Sequence, residues 1–248
     1  LLFFQADPGT SWAGSIAACM EYPHNRPYTA DDLVRIITLL RDPVNGCPWD
    51  KVQTHTSIRM NFLEEAYEAV DALDLDDPVL MCEELGDVLM QVAFHTCMEQ
   101  ETGRFTWEQV CDGVCQKLIE RHPNIFGTQP GYEGITDWDA LKNKEKGRRT
   151  LADDLESVPR AMPALMRAAK LQKRAARHGA ALQGTDAAAL ADAAENLQTA
   201  QPASAQAEQA VGKLLFAAAN LARQAGVDPE QALQKANEAF CTAAGPVA

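Results

Sequence analysis

The chain is poor in aromatic residues, at 6%, and poor in positive charge, with 22 Lys and Arg against 35 Asp and Glu. A net charge of -13 argues against a nucleic-acid partner, because neutralising a phosphate backbone needs clustered cations. It leaves a nucleotide substrate open, since a divalent cation inverts the sign of a small acidic pocket. No C-x-x-C pair occurs among the seven cysteines, and their number is odd. Neither a zinc site nor a disulfide framework is suggested, and a reduced, cytoplasmic protein is expected. Cys111 and Cys115 are helix neighbours best read as structural thiols. No apolar run is long enough to span a bilayer, so no membrane partner is expected. No alternating strand pattern is found either.

What remains is alanine-rich and 46% hydrophobic, which points to an all-α fold with a packed core. Residues 1–27 read as a disordered or non-native extension, with Met20 as a candidate true start. A helix should follow Tyr28, with Thr29 and Asp32 forming a capping box before Leu33, Ile36, Ile37 and Leu40. Turn residues 42–50 break it. A second helix is expected over about 57–75, with Phe62, Leu63, Ala66, Val70 and Leu73 as its apolar stripe. Asp77-Pro78 opens a third, carrying Leu80, Leu85, Val88, Leu89, Val92 and Ala93 to near Gly103. Thr106 with Gln109 opens a fourth, ended by His122-Pro123. Beyond a Gly- and Pro-rich stretch come a short helix at 138–146, another at 161–178, an Ala/Gln-rich low-complexity region at 180–210, and helices at about 208–225 and 230–242.

Leu85-Gly86-Asp87-Val88-Leu89 is echoed by Val211-Gly212-Lys213-Leu214-Leu215, which suggests two related helical units. The expected organisation is a catalytic domain over 28–150, a connector over 151–180 and a second, degenerate repeat over 181–248.

The chemistry lies in Glu64-Glu65-Ala66-Tyr67-Glu68 and Glu84-Leu85-Gly86-Asp87. Glu65 and Glu68 are i, i+3 on one helix, and so are Glu84 and Asp87 on the next, so each pair shares a face. A short connection favours an antiparallel hairpin across which the pairs converge. Carboxylates crowded near a core repel and are desolvated, and a hard cation such as Mg²⁺ relieves both effects. Spacing alone leaves two readings open: a metal site, or a solvated acidic helix face. A dinuclear iron bundle would want Glu-x-x-His pairs, and the i+3 positions here are Glu68 and Asp87.

These residues resemble the MazG family of nucleotide pyrophosphohydrolases, whose motif is E-E-x-x-E followed by E-x-x-D. The likeness extends to Gly46-Cys47-Pro48-Trp49-Asp50, Gln53-Thr54-His55, Gln91, His95, Lys117-Leu118-Ile119 through Phe126-Gly127, and Trp138 to Lys146. In all it covers about residues 29–178. The resemblance implies a helical bundle, usually a homodimer, that hydrolyses a nucleoside triphosphate to monophosphate and pyrophosphate in nucleotide-pool housecleaning. It implies Mg²⁺, with Mn²⁺ as a substitute, bound by Glu65, Glu68, Glu84 and Asp87. Glu64 would orient or deprotonate the attacking water or support the metal ligands from beside them; otherwise it is an exposed helix acid.

Arg121 and Lys117, i and i-4 on one helix face, are candidates for stabilising the leaving group; otherwise they form a solvated patch at a helix C-terminus. Trp49 is a candidate base-stacking residue or a packing anchor. Lys51, Arg59, Lys142 and Lys144 either reach phosphates or face water, and His95 is either a neighbour of the metal ligands or a satisfied semi-buried imidazole.

Two departures stand out. Where the family often has two arginines before the His-Pro turn, this chain has Glu120-Arg121. The counterparts of Glu84 and Asp87 in the second repeat are Ala210 and Lys213, which removes a second metal site. The rival reading is a catalytically weak or inactive sensor or scaffold that binds nucleotide or metal.

Overall fold

The computed structural model describes residues 21–24, 26–123, 125–127, 146–147 and 150–245. The expectations for residues 1–20 and for a helix at 138–145, with Lys142 and Lys144, lie outside these. Among the described residues every regular element is helical and no strand occurs, as the composition predicts. The chain divides into two compact units, residues 1–134 and 135–248. No helix of the described residues is long and apolar enough to cross a membrane.

In the first unit, α1 spans Ala30–Leu40, α2 Arg59–Asp74, α3 Pro78–Glu101 and α4 Trp107–Arg121. Their starts are fixed locally. Thr29 and Asp32 form the expected capping box of α1, and Thr106 and Gln109 that of α4. Asp77 accepts from the amides of Val79 and Leu80, with Pro78 in the first turn of α3. α3 is the spine, against which α1, α2 and α4 all pack. Val34 and Ile37 of α1, Ile58, Ala93, Phe94, Cys97 and Met98 of α3, and Trp107 of α4 make one buried cluster.

Between α1 and α2 the chain turns sharply. Asp42 accepts from the amides of Val44 and Asn45, and the amides of Gly46 and Cys47 return to the carbonyls of Asp42 and Leu40. A Cβ on Gly46 would lie 2.4 Å from both of those carbonyl oxygens, so only glycine fits. Arg41, buried over the Phe94 ring, pins the far side of this segment through the carbonyls of Asp50 and Gln53 and through Glu101.

The α2–α3 turn is only Leu75–Asp77, with Asp76 in the left-handed region at φ 51°. It folds α2 back along α3. The expected apolar stripe of α2 holds only in its first half, where Phe62, Leu63 and Ala66 are half-buried. Glu65, Ala69 and Ala72 are buried, whereas Val70 and Leu73 are exposed. In the second half of α2 the small Ala69 and Ala72 face α3, and the larger Val70 and Leu73 turn outward.

The second unit contains α5 Leu151–Glu156, α6 Ala164–Arg177, α7 Ala187–Thr199, α8 Ala205–Gln224 and α9 Pro229–Ala244. The Ala/Gln-rich segment is mostly helical: Asp186 caps α7 and Ser204 caps α8, three residues earlier than the periodicity suggests. α7 and α8 pack as a hairpin with α6 against α8. Buried polar groups tie this unit together. Asn220 donates to Thr185 at 2.9 Å, Gln172 donates to the Phe216 carbonyl at 2.7 Å, and Asp154 pairs with Arg174 at 3.1 Å.

Candidate metal centre

The antiparallel α2–α3 hairpin brings Glu65, Glu84 and Asp87 together. One carboxylate oxygen from each lies within 4.8 Å of the others, and among the described residues this is the one cluster suited to a metal ion. Glu65 is 7% exposed, unusual for a carboxylate. Glu84 is half-buried, and its Oε2 is shut off from solvent with no hydrogen-bond partner. Asp87 is half-buried. Glu68 stays outside the tight trio on the exposed side of α2, yet its charge bears on both Glu65 and Glu84.

The electrostatics follow from this crowding. Burial, then the charges of Asp87 and Glu68, push the Glu65 carboxyl above its ordinary value, while a hydrogen bond from Gln91 works the other way. Burial raises Glu84 too, followed by the charges of Glu68, Asp87 and Glu83. Oxygen-only donors, an excess of negative charge and a shielded oxygen without a partner together fit a hard divalent cation. A solvated acidic face would show none of the burial.

A second polar cluster lies further along α3. The Nδ1 atoms of His55 and His95 are 2.8 Å apart in near-parallel rings, and Nε2 of His55 is 2.5 Å from Glu99. Glu99, 7% exposed, also pairs with Arg104. His95 is thus held semi-buried and satisfied, packed beside Phe62. Burial first, and the charge of His55 second, lower its pKa.

The residues are then arranged as follows. Glu64 is exposed beside Glu65. On α4, Lys117 is exposed and Arg121 is buried. Trp49 is 44% exposed on the 42–57 segment, and Lys51, half-buried there, lies 3.5 Å from the Pro43 carbonyl. Arg59 is exposed at the start of α2. In the second unit, Ala210 and Lys213, the residues expected to answer to Glu84 and Asp87, are buried and exposed respectively.

A polar side chain near the acids that charge-based reading passes over is Gln91, 6% exposed, whose Oε1 is buried with no hydrogen-bond partner. Its signal was spacing: it follows Asp87 by four residues and Glu84 by seven on the same face of α3.

Comparison with known proteins agrees with this hairpin. Residues 53–126 match the MazG nucleotide pyrophosphohydrolase domain. The nucleoside triphosphate pyrophosphohydrolase of Escherichia coli strain K12 is 41% identical over 221 residues, which is 85% of this chain and 83% of that protein. The chain belongs to the MazG family.

A second MazG relative, the nucleoside triphosphate pyrophosphohydrolase/pyrophosphatase of Thermotoga maritima, is 39% identical over 212 residues, covering 85% of this chain and 82% of its own. The nucleoside triphosphate pyrophosphohydrolase of Mycobacterium tuberculosis is 35% identical over 151 residues, or 59% of this chain and 46% of that protein. The MazG match takes in α2, α3, α4 and the His55 segment, so it includes the whole carboxylate cluster.

Proposed function

We propose that this MazG-family enzyme hydrolyses nucleoside triphosphates to the monophosphate and pyrophosphate at the α2–α3 carboxylates, removing unwanted nucleotides from a cytoplasmic pool. The observation that carries the reading is the shielded, unpartnered Glu84 oxygen beside Glu65 and Asp87. Glu65, Glu84 and Asp87 would hold Mg²⁺, or Mn²⁺ in its place, with Glu68 completing the set from the exposed side. When bound, such an ion neutralises phosphate oxygens and lowers the cost of charge building up on them.

The chain's own residues account for the rest. Glu64 orients the attacking water and takes its proton as a bond forms from the water oxygen to the α-phosphorus. The bond from that phosphorus to the bridging oxygen of pyrophosphate breaks. Arg121 and Lys117 on one face of α4 supply positive charge for the departing pyrophosphate. Trp49 offers a ring face to the base, while Lys51, Arg59, Lys142 and Lys144 contribute phosphate contacts.

Homodimer formation is part of the proposal. Leu85 and Leu89 of α3 are 50% and 39% exposed, and Val114 and Leu118 of α4 are 47% and 50% exposed. Such i, i+4 apolar pairs on neighbouring helices suit a second copy of the same hairpin.

The test is a product assay with a panel of triphosphates and Mg²⁺. Equal amounts of monophosphate and pyrophosphate are expected. Orthophosphate instead of pyrophosphate, or binding with no products, would overturn the reading.

A further inference from the structure

Three of the four helices of the first unit start on a side-chain cap, and α2 does not: its N-cap is Ile58, which gives no side-chain hydrogen bond to the first turn. The turn ahead of it supplies the anchor instead. His55 reaches over to α3, where its Nδ1 lies 2.8 Å from Nδ1 of His95. Nε2 of His55 lies 2.5 Å from the ionised Glu99 carboxylate, which can only accept, so that nitrogen carries a hydrogen. Two arrangements then satisfy the facing atoms. With both rings neutral, Nδ1–H of His95 donates to the bare Nδ1 of His55. With one proton more, His55 is an imidazolium that donates from Nδ1, and His95 keeps its hydrogen on Nε2. When a second proton comes, N–H faces N–H and the contact cannot survive.

We propose that His55 and His95 form an acid-released latch on the start of α2, closed while their facing nitrogens share one hydrogen and opened when each holds its own. Which ring leaves follows from the surroundings. His95 is half-buried against Phe62 of α2, whereas the His55 side chain is 43% exposed and swings out. The charged groups facing the pair are Glu99 of α3 and, closed on Glu99, Arg104 of the α3–α4 turn. At the end of α1, Arg41 is engaged with Glu101 and with the carbonyls of Asp50 and Gln53, which pins the chain up to Gln53. Movement is therefore confined to the stretch between Gln53 and the first turn of α2. Burial first, and the charge of His55 second, lower the pKa of His95 from the ordinary 6.5, so opening falls in the acid range. An effect on turnover, through Arg59 and Glu65 on the same helix, rests on the hydrolytic reading above.

Nuclear magnetic resonance on the full-length chain reads the latch with neither ion nor substrate present. Imidazole nitrogen shifts at neutral pH should show one facing Nδ1 with a hydrogen and the other bare. As the second proton is taken up, the Overhauser contact between the two rings should vanish and the Cα shifts of residues 59–62 should drift towards coil values. The open fraction should rise about tenfold for each pH unit of acidification until the midpoint. The Cα shifts of Phe94 and Cys97 in the buried cluster should hold. In His95→Phe, and in His55→Phe, the acid drift at residues 59–62 should be absent. Helical shifts that persist in the parent with both Nδ1 atoms protonated overturn the proposal. So does an equal drift in the folded variants, or a drift shared by Phe94 and Cys97, which marks acid unfolding of the whole unit. A failed product assay sinks the hydrolytic reading and leaves these results, and the latch, untouched.

Discussion

At the scale of single residues, the site is a compromise between stability and readiness. Glu65 is buried among like charges and Glu84 has an oxygen no protein group satisfies. Removing either charge should help the empty protein and ruin the reaction. Glu65→Gln is expected to raise the ion-free melting temperature at pH 7.5 by a few degrees, on the order of 1 kcal/mol, while pyrophosphate release drops by at least about 10²-fold. A calorimetric scan and a product assay on one preparation check both halves. His95 gives a separate pH signature. Its folded pKa lies below the ordinary 6.5, chiefly through burial, so the unfolded chain takes up the proton first as the pH falls. Stability from this group is complete above that ordinary value and is lost on acidification below it. Urea midpoints should therefore fall between pH 7.5 and 5.5, and by less in His95→Phe, which keeps the ring packing but does not titrate.

At the scale of elements, the segment between α1 and α2 is the most constrained. Gly46→Ala would drive a methyl group into two backbone oxygens 2.4 Å away. The variant should lose about 1–3 kcal/mol by denaturant titration, and because Trp49 and Lys51 follow in the same segment, KM should rise more than kcat falls. Helix starts were legible in the sequence because capping is local chemistry: Thr29, Asp77 and Thr106 each cap the helix expected of them. The convergence of Glu65, Glu84 and Asp87 was legible too, from i, i+3 spacing and a short turn, although Glu68, expected with them, stays outside the trio. Which face of α2 is buried was not. Helix packing there is decided by how closely Ala69 and Ala72 let α3 approach, and hydrophobicity alone favours Val70 and Leu73. The start of α8 at Ala205 was hidden because an Ala/Gln composition has no apolar rhythm to read.

For the whole molecule, the expectation of a degenerate second repeat bears on how many ions one chain holds. The first unit carries the carboxylate cluster, and the second has Ala210 and Lys213 at the positions that the proposed repeat would align with two of those acids. Manganese titration should therefore saturate at about one high-affinity site per chain, or one cluster where two ions share it, and Asp87→Asn should abolish all of it. Residual tight binding in that variant would place a second site elsewhere. The outward apolar pairs on α3 and α4 make a matching forecast about assembly. Leu85→Glu combined with Leu89→Glu should shift the mass in analytical ultracentrifugation from dimer to monomer.

The three-residue turn at Leu75–Asp77 has one more consequence. Because the acids straddle the seam that this turn closes, anything captured between them staples α2 to α3. Amide protons along the middle of α2 should then exchange with deuterium more slowly when the cleft is loaded, so that occupancy could be followed from the rigidity of a helix rather than from the reaction itself.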